Sequence, residues 1–260
     1  MTRNPAAPKA VAVALGCQLI LLPLVCFGLV KALDLPPLLA VGMMLLAASP
    51  GGTSANLFSH LFRGDVALNV TLTAINSIVS IISLPLITNF AINHYDLGDT
   101  VTLPFSEVVK VFAIVLIPVL LGMLVRARAA AFAARMDKPV RIGSAVILAV
   151  LVLGVLVDQR EDAAGYIADV GLAAGLFCAI SLVTGYVVPR AVGVREAQAV
   201  ASSMEIGVHN ATLAIYVAVE VLDSTEISIP AAVYSIFMFV FAAVWGSFVA
   251  RRSRPAVVVP

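Results

Sequence analysis

Two polar interruptions within long apolar runs constrain the fold of this chain more than any other feature. The first, Ser49-Pro50-Gly51-Gly52-Thr53-Ser54-Ala55-Asn56, lies between the apolar stretches 38–48 and 57–62. The second is Met204-Glu205-Ile206-Gly207-Val208-His209-Asn210. These residues interrupt a helix where no water can replace the lost backbone hydrogen bonds, so such a break survives only inside protein or beside a cavity. Two broken spans in corresponding places are typical of the binding sites of secondary transporters.

Composition indicates an integral membrane protein. Hydrophobic residues make up 61% of the 260 residues, charged residues 12%, and the mean hydropathy is +1.06. A soluble domain carries about 25% charged residues. Apolar runs of about 20 residues predict helices rather than the short alternating strands of a barrel. A net charge of +1 gives no indication of nucleic-acid binding, and the three cysteines form no metal-ligand or disulfide pattern.

We predict an all-α fold with eight membrane-spanning helices. They cover residues 9–32, 37–61, 67–92, 105–126, 140–158, 163–189, 197–221 and 227–250. The run that begins near residue 9 is longer than the apolar region of a signal peptide, so we interpret it as a span. Basic loops alternate with acidic loops, which by the positive-inside rule places both termini in the cytoplasm of a plasma membrane or bacterial inner membrane.

The order of intact and broken spans repeats along the chain. Spans 1–3 and spans 6–8 both read intact, broken, intact, and they start on opposite sides of the membrane. This order predicts an inverted repeat with two discontinuous crossing helices. The chain then divides into a first core repeat (1–92, broken at 49–56), two intervening helices (93–160), a second core repeat (161–250, broken at 204–210) and a cytoplasmic tail (251–260).

Glu205 is the strongest candidate for a functional residue. A carboxylate in the middle of a span costs roughly 2.5–3.5 kcal/mol on insertion scales and needs a partner. No Lys or Arg follows residue 195 within the span, so a cation can fill that role. Gly207 lets the backbone turn carbonyl oxygens inward, and such oxygens suit an alkali or alkaline-earth cation or a proton. The alternative is a carboxyl group that is protonated or hydrogen-bonded for structural reasons.

Amide and hydroxyl residues form a second candidate set. Asn69, Thr73 and Asn76 are spaced i, i+4, i+7 and share one face of span 3. Asn56 follows the first break. The oxygens of these side chains can bind a cation, or the side chains can form the interhelical hydrogen bonds that are common in membranes.

Further polar residues lie in or near the breaks. Thr53 and Ser54 can cap the second half of the first broken helix, whose N-terminus suits an anionic substrate. Gln18 lies midway along span 1 and can serve as a packing contact or as a ligand. His209 follows Glu205 by four residues, which could suggest a metal pair, but a third ligand with suitable spacing is missing. We therefore do not predict an enzyme.

Three motifs resemble the bile acid:sodium symporter family. They read PGGTSAN at 50–56, RGDVALNVTLT at 63–73 and EIGVHN at 205–210. Members of the family read roughly PGGTASN, RGDVALSVTLT and EVGMQN at these places. The likeness covers the whole chain and corresponds to spans 3–10 of the ten-helix bacterial members, whose first two helices are missing from this pattern.

The resemblance implies a core of spans 1–3 and 6–8, a panel of spans 4 and 5, and two sodium sites behind the helix crossing. The first sodium site would use Asn56, Thr73, Glu205 and the positions of Ala55 and Asn69. The second would use Gln18, Glu205, His209 and the carbonyl groups of Ile206 and Val208. Asn210 would face the substrate. Thr53 and Ser54, at the N-terminus of the second half-helix, are further candidates for substrate binding.

Two departures from the family pattern affect the expected function. His209 stands where the family has glutamine, and an imidazole nitrogen is a poorer sodium ligand than an amide oxygen, so proton coupling is an alternative. Phe237-Met238-Phe239 stands where bile-acid carriers tend to have polar groups. A small organic anion is therefore expected rather than a bile acid.

We predict a secondary transporter in which a cation gradient, with sodium as the coupling ion, drives uptake of a small organic anion by alternating access. Its expected partners are the anion, sodium and the lipid bilayer, and no nucleic acid. One alternative is a truncated or degenerate membrane protein that does not transport. Another is a proton-coupled or sodium-independent carrier of organic anions.

Overall fold

A computed structural model of the chain describes residues 7–98, 102–136, 163–252 and a few isolated positions between 139 and 150. The elements of the described part are helices, as the sequence predicts. Its helices in chain order are α1 (Ala7–Gly16), α2 (Leu22–Ala32), α3 (Pro37–Ala48), α4 (Thr53–Leu61), α5 (Val66–His94), α6 (Phe105–Arg128), α7 (Ala163–Ala191), α8 (Glu196–Gly207), α9 (Ala211–Tyr216) and α10 (Thr225–Arg252). The helix predicted over 140–158 lies mostly outside the described residues.

Both helix breaks fall within the predicted stretches 49–56 and 204–210 but are shorter, because residues 53–56 and 204–207 are helical. One helix ends at Ala48 and the next begins at Thr53, while the second break separates Gly207 from Ala211. With 12 residues each, α3 and α8 measure about 18 Å at a rise of 1.5 Å per residue, which is a little more than half of a hydrocarbon core. This length suits half of a membrane-spanning helix.

Four helical stretches of the described residues are long and apolar enough to cross a membrane. They are Pro8–Ala32, Val66–His94, Val170–Ala191 and Thr225–Arg251. The stretches Pro37–Ala48 and Ala211–Val221 are apolar but shorter, as expected for the halves of broken helices.

Helix α5 has an apolar exposed face and a polar buried face. Ile78, Ile82 and Leu86 are 62%, 57% and 66% exposed, whereas Asn69 and Asn76 are buried. An amphipathic helix in water shows the reverse arrangement. The exposed apolar face suits contact with lipid, and the buried face supplies polar side chains to the interior.

A single π-helical turn joins α1 to α2. It covers Cys17–Leu21, and the N–H of Leu22 bonds to the carbonyl of Cys17. Pro23 lacks the N–H that an α-helix would use at this point, which favours the wider turn. Such turns are frequent at functional sites, and this one carries the buried Gln18.

Helix α8 packs most extensively against α7 and also contacts α4, α5 and α1. The hydroxyl of Ser203 donates to the carbonyl of Leu182 at 2.6 Å. A Cβ at Gly207 would overlap the side chain of Leu182, so this glycine permits the close contact between α7 and α8. Glu205 lies on the side of α8 that faces α5.

Candidate cation site at the paired helix breaks

The two helix breaks bond directly to each other. The N–H of Gly52 donates to the carbonyl of Val208 at 2.7 Å, and the N–H of Asn210 donates to the carbonyl of Pro50 at 2.8 Å. Gly51 and His209 thereby form an isolated antiparallel bridge. Buried backbone groups need partners, above all at membrane depth. Each break supplies partners for the other, which explains how both can exist in the interior.

The Glu205 carboxylate is fully buried and receives its hydrogen bonds from α5. The side-chain amide of Asn69 donates to Oε2 at 2.7 Å, and that of Asn76 donates to Oε1 at 3.2 Å. The Thr73 hydroxyl lies 2.6 Å from Oε2 and 3.0 Å from the carbonyl of Asn69, so its single proton serves one acceptor at a time. The three residues that the sequence places on one face of span 3 all meet Glu205.

The groups around Glu205 are neutral. Its bonds come from amides and a hydroxyl, and the ion pairs seen within the described ranges, Lys110–Glu107 and Arg190–Glu196, lie elsewhere in the fold. A buried carboxylate without a counter-charge is costly. A proton or a bound cation would balance it.

Gly51 also contributes to the site, which the sequence did not reveal. A Cβ at this residue would overlap the carboxylate of Glu205. At Gly52 a Cβ would lie 3.1 Å from the carbonyl oxygen of His209, which is a tight contact. The first glycine lets the backbone approach the carboxylate, and the second lets the two breaks pair.

Several buried amide oxygens on α4 and α5 are available as ligands. The Oδ1 atoms of Asn56, Asn69 and Asn76 find no hydrogen-bond partner among the residues that the structure describes. Unsatisfied buried acceptors are unfavourable. Carboxylate and neutral amide oxygens are the donors that hard cations prefer. This donor set fits a cation such as sodium.

A second polar group surrounds His209. The side-chain nitrogen of Gln18 donates to the carbonyl of Ser49 at 3.1 Å and lies 3.4 Å from Nδ1 of His209, which is 3.3 Å from the same carbonyl. The imidazole stacks on Phe177, with ring centroids 5.5 Å apart, and meets Tyr234 edge-on at 5.5 Å. Gln18 and His209, which the sequence assigns to one site, are brought together.

Carbonyl groups near the second break already accept hydrogen bonds. Val208, an expected ligand, accepts from Gly52, and Gly207 accepts from the Tyr234 hydroxyl at 2.9 Å. Since a carbonyl oxygen has two lone pairs, the Val208 carbonyl retains capacity for a cation. The neighbouring expected ligand, the carbonyl of Ile206, lies in the last turn of α8, and the Ile206 side chain is fully buried.

The expected caps of α4 are wrong. Gly52, and not Thr53 or Ser54, is the N-cap residue, and a side-chain cap is missing from α4 within the described structure. The Gly52 N–H instead donates to the carbonyl of Val208 in the second break. Thr53 is exposed in the first turn of α4, and Ser54 is half-buried. Asn210 caps α9, with its Oδ1 accepting from the N–H of Leu213 at 3.1 Å.

Among the described residues, no third His, Cys, Asp or Glu side chain joins Glu205 and His209 to complete a metal site. Within the ranges that the structure describes, no group of three or more His, Cys, Asp or Glu residues is arranged to hold a metal ion. The two side chains also have different partners, α5 for Glu205 and Gln18 with Ser49 for His209.

Two paired helix breaks around a buried carboxylate are typical of secondary transporters. Comparison with known sequences identifies the family. The profile of the Sodium Bile acid symporter family matches residues 1–165, more than half of the chain, and the chain belongs to this family. It is therefore a multi-pass membrane protein of a transporter family and not an enzyme, as the sequence predicts.

Three relatives illustrate the similarity. "Probable sodium/metabolite cotransporter BASS1, chloroplastic" of Arabidopsis thaliana is 29% identical over 260 residues, covering 95% of this chain and 61% of the relative. "Uncharacterized sodium-dependent transporter YocS" of Bacillus subtilis (strain 168) is 25% identical over 240 residues, covering 88% and 70%. "Sodium-dependent organic anion transporter" of Bos taurus is 28% identical over 121 residues, covering 46% and 32%. The chain spans about three fifths of the length of the Arabidopsis relative.

Proposed function

We propose that this protein is a secondary transporter in which a sodium gradient drives uptake of a small organic anion by alternating access. The observation that carries the proposal is the fully buried carboxylate of Glu205, held by neutral donors where two broken helices meet. Such a group needs a positive charge, and a coupling cation supplies one reversibly.

Sodium is the cation that the donor set supports best. The first position uses the carboxylate of Glu205 with the side chains of Asn56, Asn69 and Thr73. The unpartnered amide oxygens found there within the described structure are hard, neutral ligands. A second position, formed by Gln18, His209 and the carbonyls of Ile206 and Val208, binds sodium weakly, because an imidazole nitrogen is a poorer ligand than an amide oxygen. The names of two relatives include the word "sodium-dependent", which agrees with this choice.

Coupling follows from the connections that one ion would make. Glu205 on α8 contacts α5 through Asn69 and the first break through Gly51. A cation bound there holds three segments in one geometry, so its departure loosens the helix crossing. Differential stability of two geometries is what coupling requires.

The substrate is a small organic anion that binds at the N-terminal turn of α4, beside the helix crossing. The N-terminal turn of α4, with Thr53 exposed and Ser54 beside it, presents backbone N–H groups that favour negative charge. Asn210 borders the same crossing. Phe237 and Phe239 give the neighbouring part of α10 an apolar character, which suits a substrate smaller than a bile acid.

The architecture we propose has eight spans with both termini in the cytoplasm. An inverted repeat relates 1–92 to 161–250, and residues 93–160 form the panel against which this core moves. The order of α1 to α5 and that of α7 to α10 supports the repeat, since each has one broken helix between long ones.

Purified protein in proteoliposomes tests the proposal. A thermal-shift screen of organic anions, with and without sodium, identifies a substrate, because a ligand that binds only the folded state raises its stability. Uptake of that anion should require an inward sodium gradient and be abolished in Glu205→Ala. The matched control is Glu220→Ala, which alters an exposed glutamate and should retain uptake.

The other outcomes distinguish the alternatives. Undiminished sodium-dependent uptake by Glu205→Ala would overturn the proposed mechanism. Uptake driven by a pH gradient without sodium would establish a proton-coupled carrier. A protein that neither binds nor transports any anion in the screen would support a non-transporting role.

A further inference from the structure

A second group of buried polar side chains lies on α8, one to two turns before Glu205. Ser202 and Gln198 precede Glu205 by three and seven residues, a spacing that places all three on one helix face. Gln198 is fully buried and Ser202 is 1% exposed. Neither of them takes part in the hydrogen bonds of the Glu205 site.

The polar atoms of this group lack partners. Both Nε2 and Oε1 of Gln198 and the hydroxyl of Ser202 have no hydrogen-bond partner anywhere in the described ranges. The same holds for the hydroxyl of Ser59 on α4, which is also fully buried. Buried amides and hydroxyls are otherwise nearly always bonded, and those without protein partners usually bond to water.

The geometry of the chain brings α4 and this face of α8 together. A Cβ at Gly64 would lie 2.5 Å from the Ser59 hydroxyl and 3.1 Å from the N atom of Ala201. The N–H of Asp65 donates to the carbonyl of Ala197 at 2.8 Å. The opposite face of α8 is occupied by α7, as described above for Ser203. Gln198 and Ser202 share the helix face of Glu205, whose carboxylate bonds to α5, and α8 also contacts α4 and α1.

We define as the polar seam the buried side chains of Asn56 and Ser59 on α4 together with those of Gln198 and Ser202 on α8. Asn56 precedes Ser59 by one turn and also has a buried oxygen without a partner among the described residues. At 1.5 Å per residue, Gln198 lies about 10 Å from Glu205 along the helix axis. The seam thus extends from the carboxylate to the end of α8 that meets the turn at 63–65.

We propose that the polar seam is a hydrated path by which the coupling cation reaches or leaves Glu205 from the membrane side that carries Arg63. This inference rests on the proposed function. The neutral oxygens of the seam can replace part of the water around a small monovalent cation.

Silver(I) tests the path directly, because it is a small monovalent cation that bonds to thiolates. The native cysteines at 17, 26 and 178 are buried and would first be replaced by alanine, with thermal stability as the check on folding. Ser202→Cys and Ser59→Cys are then reporters on facing helices. Ser203→Cys is the matched control, since that side chain faces α7.

Silver(I) is added from the Arg63 side of sealed vesicles. We expect it to react at least about tenfold faster with the two reporter cysteines than with Ser203→Cys, which corresponds to a difference of about 1.4 kcal/mol in activation free energy. Either reporter suffices if the other variant does not fold. Rates equal to the control, or reaction only from the opposite side, would overturn the proposal.

Gln198→Leu separates the path from the site. The equilibrium affinity for sodium, read from the thermal shift, should stay within about twofold, while release of radioactive sodium slows about tenfold. An unchanged release rate would overturn the path. Failure of the unmodified protein to bind sodium would overturn the proposed function instead, and the silver(I) rates would still report on the seam.

Discussion

Gly51 lies directly against the carboxylate of Glu205, at a distance that leaves no space for a Cβ. The backbone of the first break therefore forms part of the binding surface for the Glu205 side chain, which comes from the second broken helix. The same carboxylate accepts hydrogen bonds from Asn69, Thr73 and Asn76 on α5. Three segments of the chain thus meet at one acidic group, and each contributes in a different way.

Replacing Gly51 with alanine should displace the carboxylate and weaken sodium binding by at least about tenfold, equivalent to about 1.4 kcal/mol. The measurement is the sodium concentration that gives half of the thermal shift. Gly28→Ala on α2 is the control, because a Cβ there meets nothing within 4 Å. That control should leave sodium binding unchanged and raise stability by up to about 1 kcal/mol through helix propensity. Wild-type sodium binding by Gly51→Ala would contradict the role assigned to this glycine.

The Thr73 hydroxyl should contribute more to stability while residue 205 is a carboxylate. Thr73→Val keeps the shape but removes a hydrogen bond to a charged group, which is worth about 1.5–3 kcal/mol. In the Glu205→Gln background the same change should cost at least about 1 kcal/mol less, since contacting residues are not additive. Thermal stability of the four proteins of this cycle measures the difference.

The control for this cycle is Thr71→Val. Thr71 lies on the exposed face of the same helix, and its hydroxyl donates to the carbonyl of Ala67 at 2.8 Å. Its effect should add to that of Glu205→Gln. Full additivity for Thr73→Val as well would show that its hydroxyl does not act through the carboxylate.

Local sequence patterns were sufficient for the described helices, for the approximate positions of both breaks and for the shared face of α5. A proline followed by two glycines predicted the position of the first break. A glycine close to a mid-span carboxylate predicted the position of the second. The i, i+4, i+7 spacing of Asn69, Thr73 and Asn76 correctly predicted a shared face, because helix geometry alone fixes it. These features depend on residues close in the chain.

Features that depend on distant segments were not predictable. The contact of Gly51 with Glu205 requires knowing how the two breaks cross. Thr53 was expected to act as a cap, but the Gly52 N–H instead bonds to Val208 in the other break. Nothing in the local pattern around Gln198 indicates that its amide is buried without a partner among the described residues, since the same residue could equally face solvent or another helix.

His209→Gln should make the response to sodium steeper. An amide oxygen would replace the imidazole beside Gln18 and Ser49, and amide oxygens are better ligands for a hard cation. A second bound sodium ion would then increase the slope of thermal stability against the logarithm of sodium concentration. His60→Gln, at an exposed residue of α4, should leave the slope unchanged. Equal slopes for His209→Gln and the wild type would show that this position does not limit the number of bound ions.

Tyr234 stabilises the end of α8, because its hydroxyl donates to the carbonyl of Gly207 at 2.9 Å and its ring meets His209 edge-on. Tyr234→Phe keeps the ring and removes this bond, which should cost about 1 kcal/mol, or a few degrees in Tm. Since Gly207 is two residues from Glu205, sodium binding should also weaken, though less than in Gly51→Ala, because the carboxylate keeps its own partners. Tyr216→Phe on α9, where the side chain is 38% exposed, should change neither quantity. Equal behaviour of the two variants would mean that the break is held by its pairing with the first break alone.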